Sequence, residues 1–263
     1  MILENKVAVV YGGGGFIGSA VAREFAREGA KVFLTGHKRA QVEAMAEKIV
    51  STGGSAEAAE LDALDEKAVE RHMRSVVDKA GRVDISFNAV GIPNANILGV
   101  PFEKLDLERF SLPIAAYTTS YFLTARAAAK YMLPNKSGVI MTVSALPARQ
   151  GSATNGGYGP AQAAKEQLTR DLSFEFARQG VRVVCLRPHA IPESSTMKQV
   201  FEIKGKPTGM KWEQFAGVLA GNTHTKRAMT LDEVANVAAF VASDKASGLT
   251  GTTINLCMGI LDD

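Results

Sequence analysis

The sequence predicts an α/β protein: a doubly wound parallel sheet of about seven strands with helices on both faces. Three observations carry this. Short apolar or β-branched runs alternate with stretches of helical periodicity along the 263 residues, which means parallel strands joined by crossover helices. Runs such as VAVV and VRVVCL are apolar without interruption, as strands buried on both faces are. The first run ends in four glycines just ahead of a helical pattern, the punctuation of a strand that turns tightly into a helix.

Taken in order, Val7 to Tyr11 is the first strand, and Ile17 to Glu28 a helix with Val21, Phe25 and neighbouring alanines on one face. Lys31 to Thr35 is the second strand, and Arg39 to Ser51 a helix stopped by Gly53-Gly54. Ser55 to Leu61 is the third strand, followed by a helix from Asp65 to Ala80. Asp84 to Asn88 and Gly138 to Ser144 are the fourth and fifth strands; between them Leu107 to Met132 reads as a long helix interrupted near Pro113. A helix from Tyr158 to Arg178, a strand from Val181 to Leu186, a helix from Leu231 to Ser243 and a strand from Thr252 to Leu256 complete the pattern. No linker or repeat divides it, so residues 1–263 are expected to form one domain.

The composition, 46% hydrophobic and 22% charged, is that of a globular chain able to bury one large core. A net charge of +3 with no Lys/Arg run argues against nucleic acid as a partner. Cys185 and Cys257 lie in apolar stretches without zinc-site or disulfide spacing, so no metal is expected. The opening MILENKVAVV is unlike a signal peptide, and no apolar stretch approaches the ~18 residues of a membrane span. A cytoplasmic protein is the expectation.

The segment 193–227 stands apart. It is polar and glycine-rich, and it follows a strand whose carboxyl end should open onto the ligand crevice. It reads as a lid, with Trp212, Phe215 and Val218 packing a short helix. Its Met197, Val200 and Phe201, with Trp212 and Phe215, suit a small apolar or aromatic carbonyl substrate.

Gly13-x-Gly15-x-x-Gly18 sits between the first strand and the first helix, the context in which such spacing marks a dinucleotide site. The chemistry needs backbone N–H groups close to a pyrophosphate at a helix N-terminus, where a Cβ would intrude. After the second strand, an NAD site wants a carboxylate for the ribose 2′-hydroxyl, whereas a 2′-phosphate wants cations. Here the residues are Thr35-Gly36-His37-Lys38-Arg39, with no acid and three potential cations. The cofactor expected is NADP(H).

At this point the chain resembles the short-chain dehydrogenase/reductase family, over nearly its whole length. YGGGGFIG matches that family's TGxxxGxG element, with Tyr11 for Thr and Phe16 for the middle Gly; Gly12, Gly15 and Gly18 are spaced as in the family's longer branch. DISFNAVGI resembles the NNAG stretch, and residues 225–251 resemble the closing helix and strand. The resemblance implies a Rossmann-type fold, a tetramer, and hydride transfer between nicotinamide and a carbonyl or alcohol carbon. It implies cofactor contacts at Gly12, Gly13, Gly15, Phe16, Ile17, Gly18, Asp62 (to adenine), Ala63, Asn88, Ala89, Val90, Gly91, Pro188 and Ile191. It makes Tyr158 the general acid/base, in contact with the cofactor together with the residue four positions on.

The family pattern then breaks. That next position holds Gln162 where a Lys belongs, the Ser position falls on Ala145 with Ser144 as its neighbour, and the Asn position falls on Tyr117. Ser144 would serve only if the loop held one extra residue. His189, where the family has Gly beside the nicotinamide, is a candidate to replace the lost relay. Lys165, seven residues beyond Tyr158 and about 10 Å along the helix, reads as a solvated surface lysine. Without the Lys, the phenol should keep a pKa near its free value and suit reduction better than oxidation. Three functions follow: an NADP(H)-dependent carbonyl reductase with an atypical relay, an NADP(H)-binding protein with little turnover, or a reductase of activated C=C or C=N bonds. The alanines of 125–129 and 161–164 would permit close helix packing in a homo-oligomer.

Overall fold

A computed structural model describes residues 1–261. Seven parallel strands form one sheet: β1 (Val7–Tyr11), β2 (Lys31–Gly36), β3 (Ser55–Glu60), β4 (Ile85–Asn88), β5 (Gly138–Val143), β6 (Val181–Pro188) and β7 (Thr252–Leu256). Their order is β3-β2-β1-β4-β5-β6-β7, and every neighbouring pair is parallel. The chain winds outward in both directions from β1 and β4. The crevice between their carboxyl ends is therefore the topological switch point, where such sheets bind ligands.

The strand alternation sorts the core into two layers. Ala8, Val10, Leu34, Phe87, Met141 and Leu186 face α1 (Phe16–Arg27), α2 (Arg39–Ser51) and α8 (Leu231–Ala242). Val7, Val9, Phe33, Ile140 and Val183 face α3 (Glu66–Ala80), α4 (Leu107–Met132) and α5 (Tyr158–Phe176). The strand and helix boundaries read from periodicity all hold to within two residues.

Two expectations change. The helix expected to break near Pro113 runs unbroken from Leu107 to Met132. Proline removes one backbone donor and crowds the preceding turn, yet tertiary packing holds the helix here. Gly157 fits against that turn: a Cβ on it would run into the Phe110 carbonyl oxygen and lie 3.1 Å from the Pro113 ring. This close approach seats the start of α5, and hence Tyr158. Second, Ala125, Ala127, Ala128 and Ala129 are buried within the chain's own core, and Ala161 packs beside Tyr117. Their small side chains let α4 and α5 pack within the chain, so these five alanines are not free for an oligomer face, while Ala163 and Ala164 are half-buried. The exposed aromatics on these helices are Phe122 and Phe174.

The segment 193–227 is mostly helical: α6 (Ser195–Val200), a π turn at Phe201–Gly205, and α7 (Trp212–Gly221). Phe201, Trp212 and Phe215 form an aromatic cluster with centroid distances of 5.5 to 6.1 Å. Val218, expected to pack with them, is exposed. Among the described residues, no helix is long and apolar enough to cross a membrane.

Candidate active site

The glycine loop closes over the switch point. Gly12 has φ +76°, a conformation β-carbons disfavour, and a Cβ there would stand 2.5 Å from the Ala89 carbonyl oxygen. A Cβ on Gly18 would run into the Gly12 carbonyl oxygen. The glycines thus bring the β1 loop, the start of α1 and the β4 loop into direct contact. Gly15 is the N-cap of α1 with no side-chain cap, and no acid occupies the first turn. An uncapped helix N-terminus beside a glycine cradle fits the pyrophosphate of a dinucleotide. Phe16 opens the helix and is 41% exposed, leaving room at the rim of the cradle.

Beyond β2, His37, Lys38 and Arg39 are all exposed. His37 Nε2 lies 3.4 Å from an oxygen of Asp62, whose carboxylate also accepts from the Leu64 amide. Arg39 turns along α2 to Glu43, 2.7 Å away. Lys38 has no ion-pair partner among the described residues. The structure therefore brings the expected adenine residue, Asp62, next to the basic turn, while Ala63 beside it is buried.

At the end of β4, Asn88 is fixed three ways. Its side-chain amide donates to Thr124 Oγ1 (3.0 Å), its carbonyl accepts from Thr142 Oγ1 (3.2 Å), and its Oδ1 accepts from the Val90 amide (3.3 Å). Gly91 follows, with the Tyr117 hydroxyl 4.0 Å from where its Cβ would be. Across the crevice, Pro188 ends β6 against Leu256, and Ile191 is buried in the core. His189 is 5% exposed, and burial holds its imidazole below the usual histidine range. Its Nδ1 is buried and makes no hydrogen bond among the described residues.

Tyr158 opens α5. Its ring meets Tyr117 edge to face, 5.7 Å between centroids, in a cluster with Ile92, Ile97, Ile114, Val200 and Ile203. These apolar walls push the phenol's pKa well up, so Tyr158 is protonated at neutral pH. Burial raises Tyr117 too, opposed by a hydrogen bond from the Ile92 backbone. Gln162, one turn along α5, is 2% exposed.

Ser144 is drawn elsewhere. It donates its proton to Glu166 Oε1 at 2.7 Å, and Glu166 in turn holds Arg187 through bonds of 2.7 and 2.9 Å. All three residues are buried. The extended backbone at Ala145 turns that residue to the opposite side from Ser144. As a proton donor to substrate, Ser144 is therefore corrected: it belongs to a buried ion-pair network behind the strand.

Lys165 also differs from expectation. It is 1% exposed, and its Nζ donates to the Val143 carbonyl (2.5 Å) while lying 5.5 Å from the Tyr117 ring centroid. Tyr158, Gln162, Lys165 and Thr169 form one stripe of α5, and that stripe faces the core. Burial lowers the lysine's pKa to about 8. Glu166 and Thr124 are not singled out by the sequence; the seven-residue spacing from Tyr158 draws attention to Lys165 but not to its burial.

A doubly wound sheet, a glycine cradle at the switch point and a tyrosine at the start of α5 define a nucleotide-dependent oxidoreductase class. Residues 15–260 match the family model described as enoyl-(acyl carrier protein) reductase. The chain is 32% identical to the uncharacterized oxidoreductase YxbG of Bacillus subtilis (strain 168), over 98% of this chain and 92% of that protein. It is 31% identical to secoisolariciresinol dehydrogenase of Forsythia intermedia, over 95% of this chain and 86% of the relative. The structure of sorbitol-6-phosphate 2-dehydrogenase SrlD from Erwinia amylovora superposes with a TM-score of 0.90 at 28% identity, covering 97% of this chain and 100% of that one. The chain belongs to the short-chain dehydrogenase/reductase family of oxidoreductases.

Proposed function

We propose that the protein is an NADP(H)-dependent carbonyl reductase acting on small apolar or aromatic ketones and aldehydes. The observation that carries this reading is Tyr158: a phenol kept protonated by apolar walls, at the start of α5. A reduced nicotinamide, when bound, supplies the hydride. Gly12, Gly13, Gly15, Ile17 and Gly18 form the bed for its pyrophosphate, and the exposed Lys38, with His37, suits a 2′-phosphate. Asn88 and Gly91 hold the β4 loop against the crevice floor. The substrate carbonyl lies in the cluster of Ile92, Ile97, Val200 and Ile203, under the lid of 193–227. As hydride reaches the carbonyl carbon, Tyr158 gives its proton to the developing alkoxide, and water then reprotonates the phenolate. A proton held this firmly favours reduction over oxidation. The reading includes one domain, a cytoplasmic location and a homotetramer, whose contact face would use Phe122 and Phe174.

The test is NADPH consumption with a panel of aliphatic and aromatic carbonyls, beside fluorescence titrations with NADPH and NADH. Turnover with NADPH and weaker binding of NADH support the reading. A second reading, an NADP(H)-binding protein with little turnover, is favoured by Gln162 and by the commitment of Ser144 to Glu166. Tight NADPH binding without consumption would select it.

A further inference from the structure

A buried ammonium with no carboxylate beside it calls for an explanation. Lys165 is 1% exposed, and among the described residues no carboxylate pairs with it. Its neighbour Glu166 is held by Arg187 and Ser144, so it does not neutralise the lysine. Burying an unpaired charge costs several kcal/mol unless the site uses it. Among the described residues its one hydrogen-bond acceptor is the Val143 carbonyl, and its Nζ stands 5.5 Å from the ring centroid of Tyr117. Tyr117 in turn meets the edge of Tyr158. The charge therefore stands behind two tyrosine rings in edge-to-face contact, on the same helical stripe as Tyr158 and Gln162.

We infer that Lys165 is the cation of this active site, a positioning residue that acts through Tyr117 to stabilise negative charge on the Tyr117–Tyr158 pair during proton donation. The inference rests on Tyr158 being the proton donor. A cation over a ring face is attracted to it, and favours the anionic over the neutral phenol. At the same time the bond to Val143 ties the end of β5 to α5, holding the crevice wall in place. The ionisable groups around the ammonium are Tyr117 from α4, Cys185 from β6, and Glu166 with its partner Arg187. Glu166 is held by Arg187, so the lysine has no carboxylate of its own among the described residues.

Two measurements test this. The first is steady-state kinetics of wild type, Lys165→Met and the double variant Lys165→Met/Gln162→Lys, with folding checked by circular dichroism. Lys165→Met should lose tenfold or more in kcat, with KM for NADPH within about threefold. Returning the cation one turn closer to Tyr158 should restore most of kcat; a lysine that only braces β5 would not be replaced from position 162. Unchanged kcat in Lys165→Met, or no recovery in a folded double variant, overturns the inference. The second needs no turnover: tyrosine Cζ resonances are followed from pH 6 to 10 in ¹³C-labelled protein, with Tyr117 assigned by Tyr117→Phe. The Tyr117 signal should carry a step near pH 8 that disappears in Lys165→Met. No step in wild type overturns the inference. A step without any carbonyl turnover rejects the reductase reading and leaves the lysine acting on the phenols.

Discussion

The rings of Tyr117 and Tyr158 meet edge to face at 70°, joining the long helix α4 to the helix that carries the proton donor. Tyr117 stands where the family resemblance expects an Asn, so one member of a polar relay is replaced by an aromatic wall. The contact is both packing and positioning. Tyr117→Phe keeps the ring and loses only the hydroxyl bond at Ile92, so it should cost about 1 kcal/mol of stability. Tyr117→Ala removes a buried ring and should cost about 3–5 kcal/mol. Urea unfolding of the two variants compares them; equal losses would mean that the ring contact contributes little.

Cofactor choice depends on the turn after β2. His37 leans toward Asp62 and Arg39 toward Glu43, which leaves Lys38 as the cation best able to meet a 2′-phosphate. Lys38→Glu should weaken NADPH binding by about 10- to 100-fold, the worth of one charge-assisted bond, while NADH binding changes little. Fluorescence titration reads both. Equal weakening of the two cofactors would place the 2′-phosphate elsewhere.

The Ser144–Glu166–Arg187 network is a stability element beneath the site. Glu166→Gln keeps the shape but removes the charge from a buried pair, and should destabilise the protein by about 3 kcal/mol. Chemical denaturation measures this. A loss below 1 kcal/mol would show that the pair is replaceable.

His72 on α3 packs against Tyr11, with ring centroids 6.4 Å apart, and burial lowers its pKa to about 4. The folded state thus resists a proton that the unfolded chain accepts at about 6.5. Stability from the neutral form is fully present above pH 6.5 and falls as pH drops toward 4, by about 3 kcal/mol at most. His72→Phe should flatten that part of the stability profile, followed by thermal unfolding from pH 7 to 4. An unchanged slope would assign the acid sensitivity to other groups.

Much of the architecture is legible in the sequence because burial on both sheet faces demands unbroken apolar strands, as in Val7–Tyr11 and Val181–Pro188. The glycine cradle is legible because close backbone approach excludes side chains at Gly12 and Gly18. What is not legible depends on tertiary direction. Pro113 looks like a break until Gly157 is seen against its turn. The alanines of α4 look like an open face until the sheet and α5 cover them. Lys165 looks solvated because lysines are seldom fully buried; only the packing of its helical stripe onto β5 and Tyr117 shows where the charge goes. Ser144 is a serine at a plausible place whose strand alternation turns it toward Glu166.

The most direct measurement of the central claim is NADPH oxidation with aromatic ketones by wild type and Tyr158→Phe, alongside NADPH titration of both. Wild type should turn over and the variant should lose about 10²- to 10⁴-fold, with cofactor affinity preserved. Equal rates in the two proteins would contradict it, because the proton would then come from a group other than Tyr158.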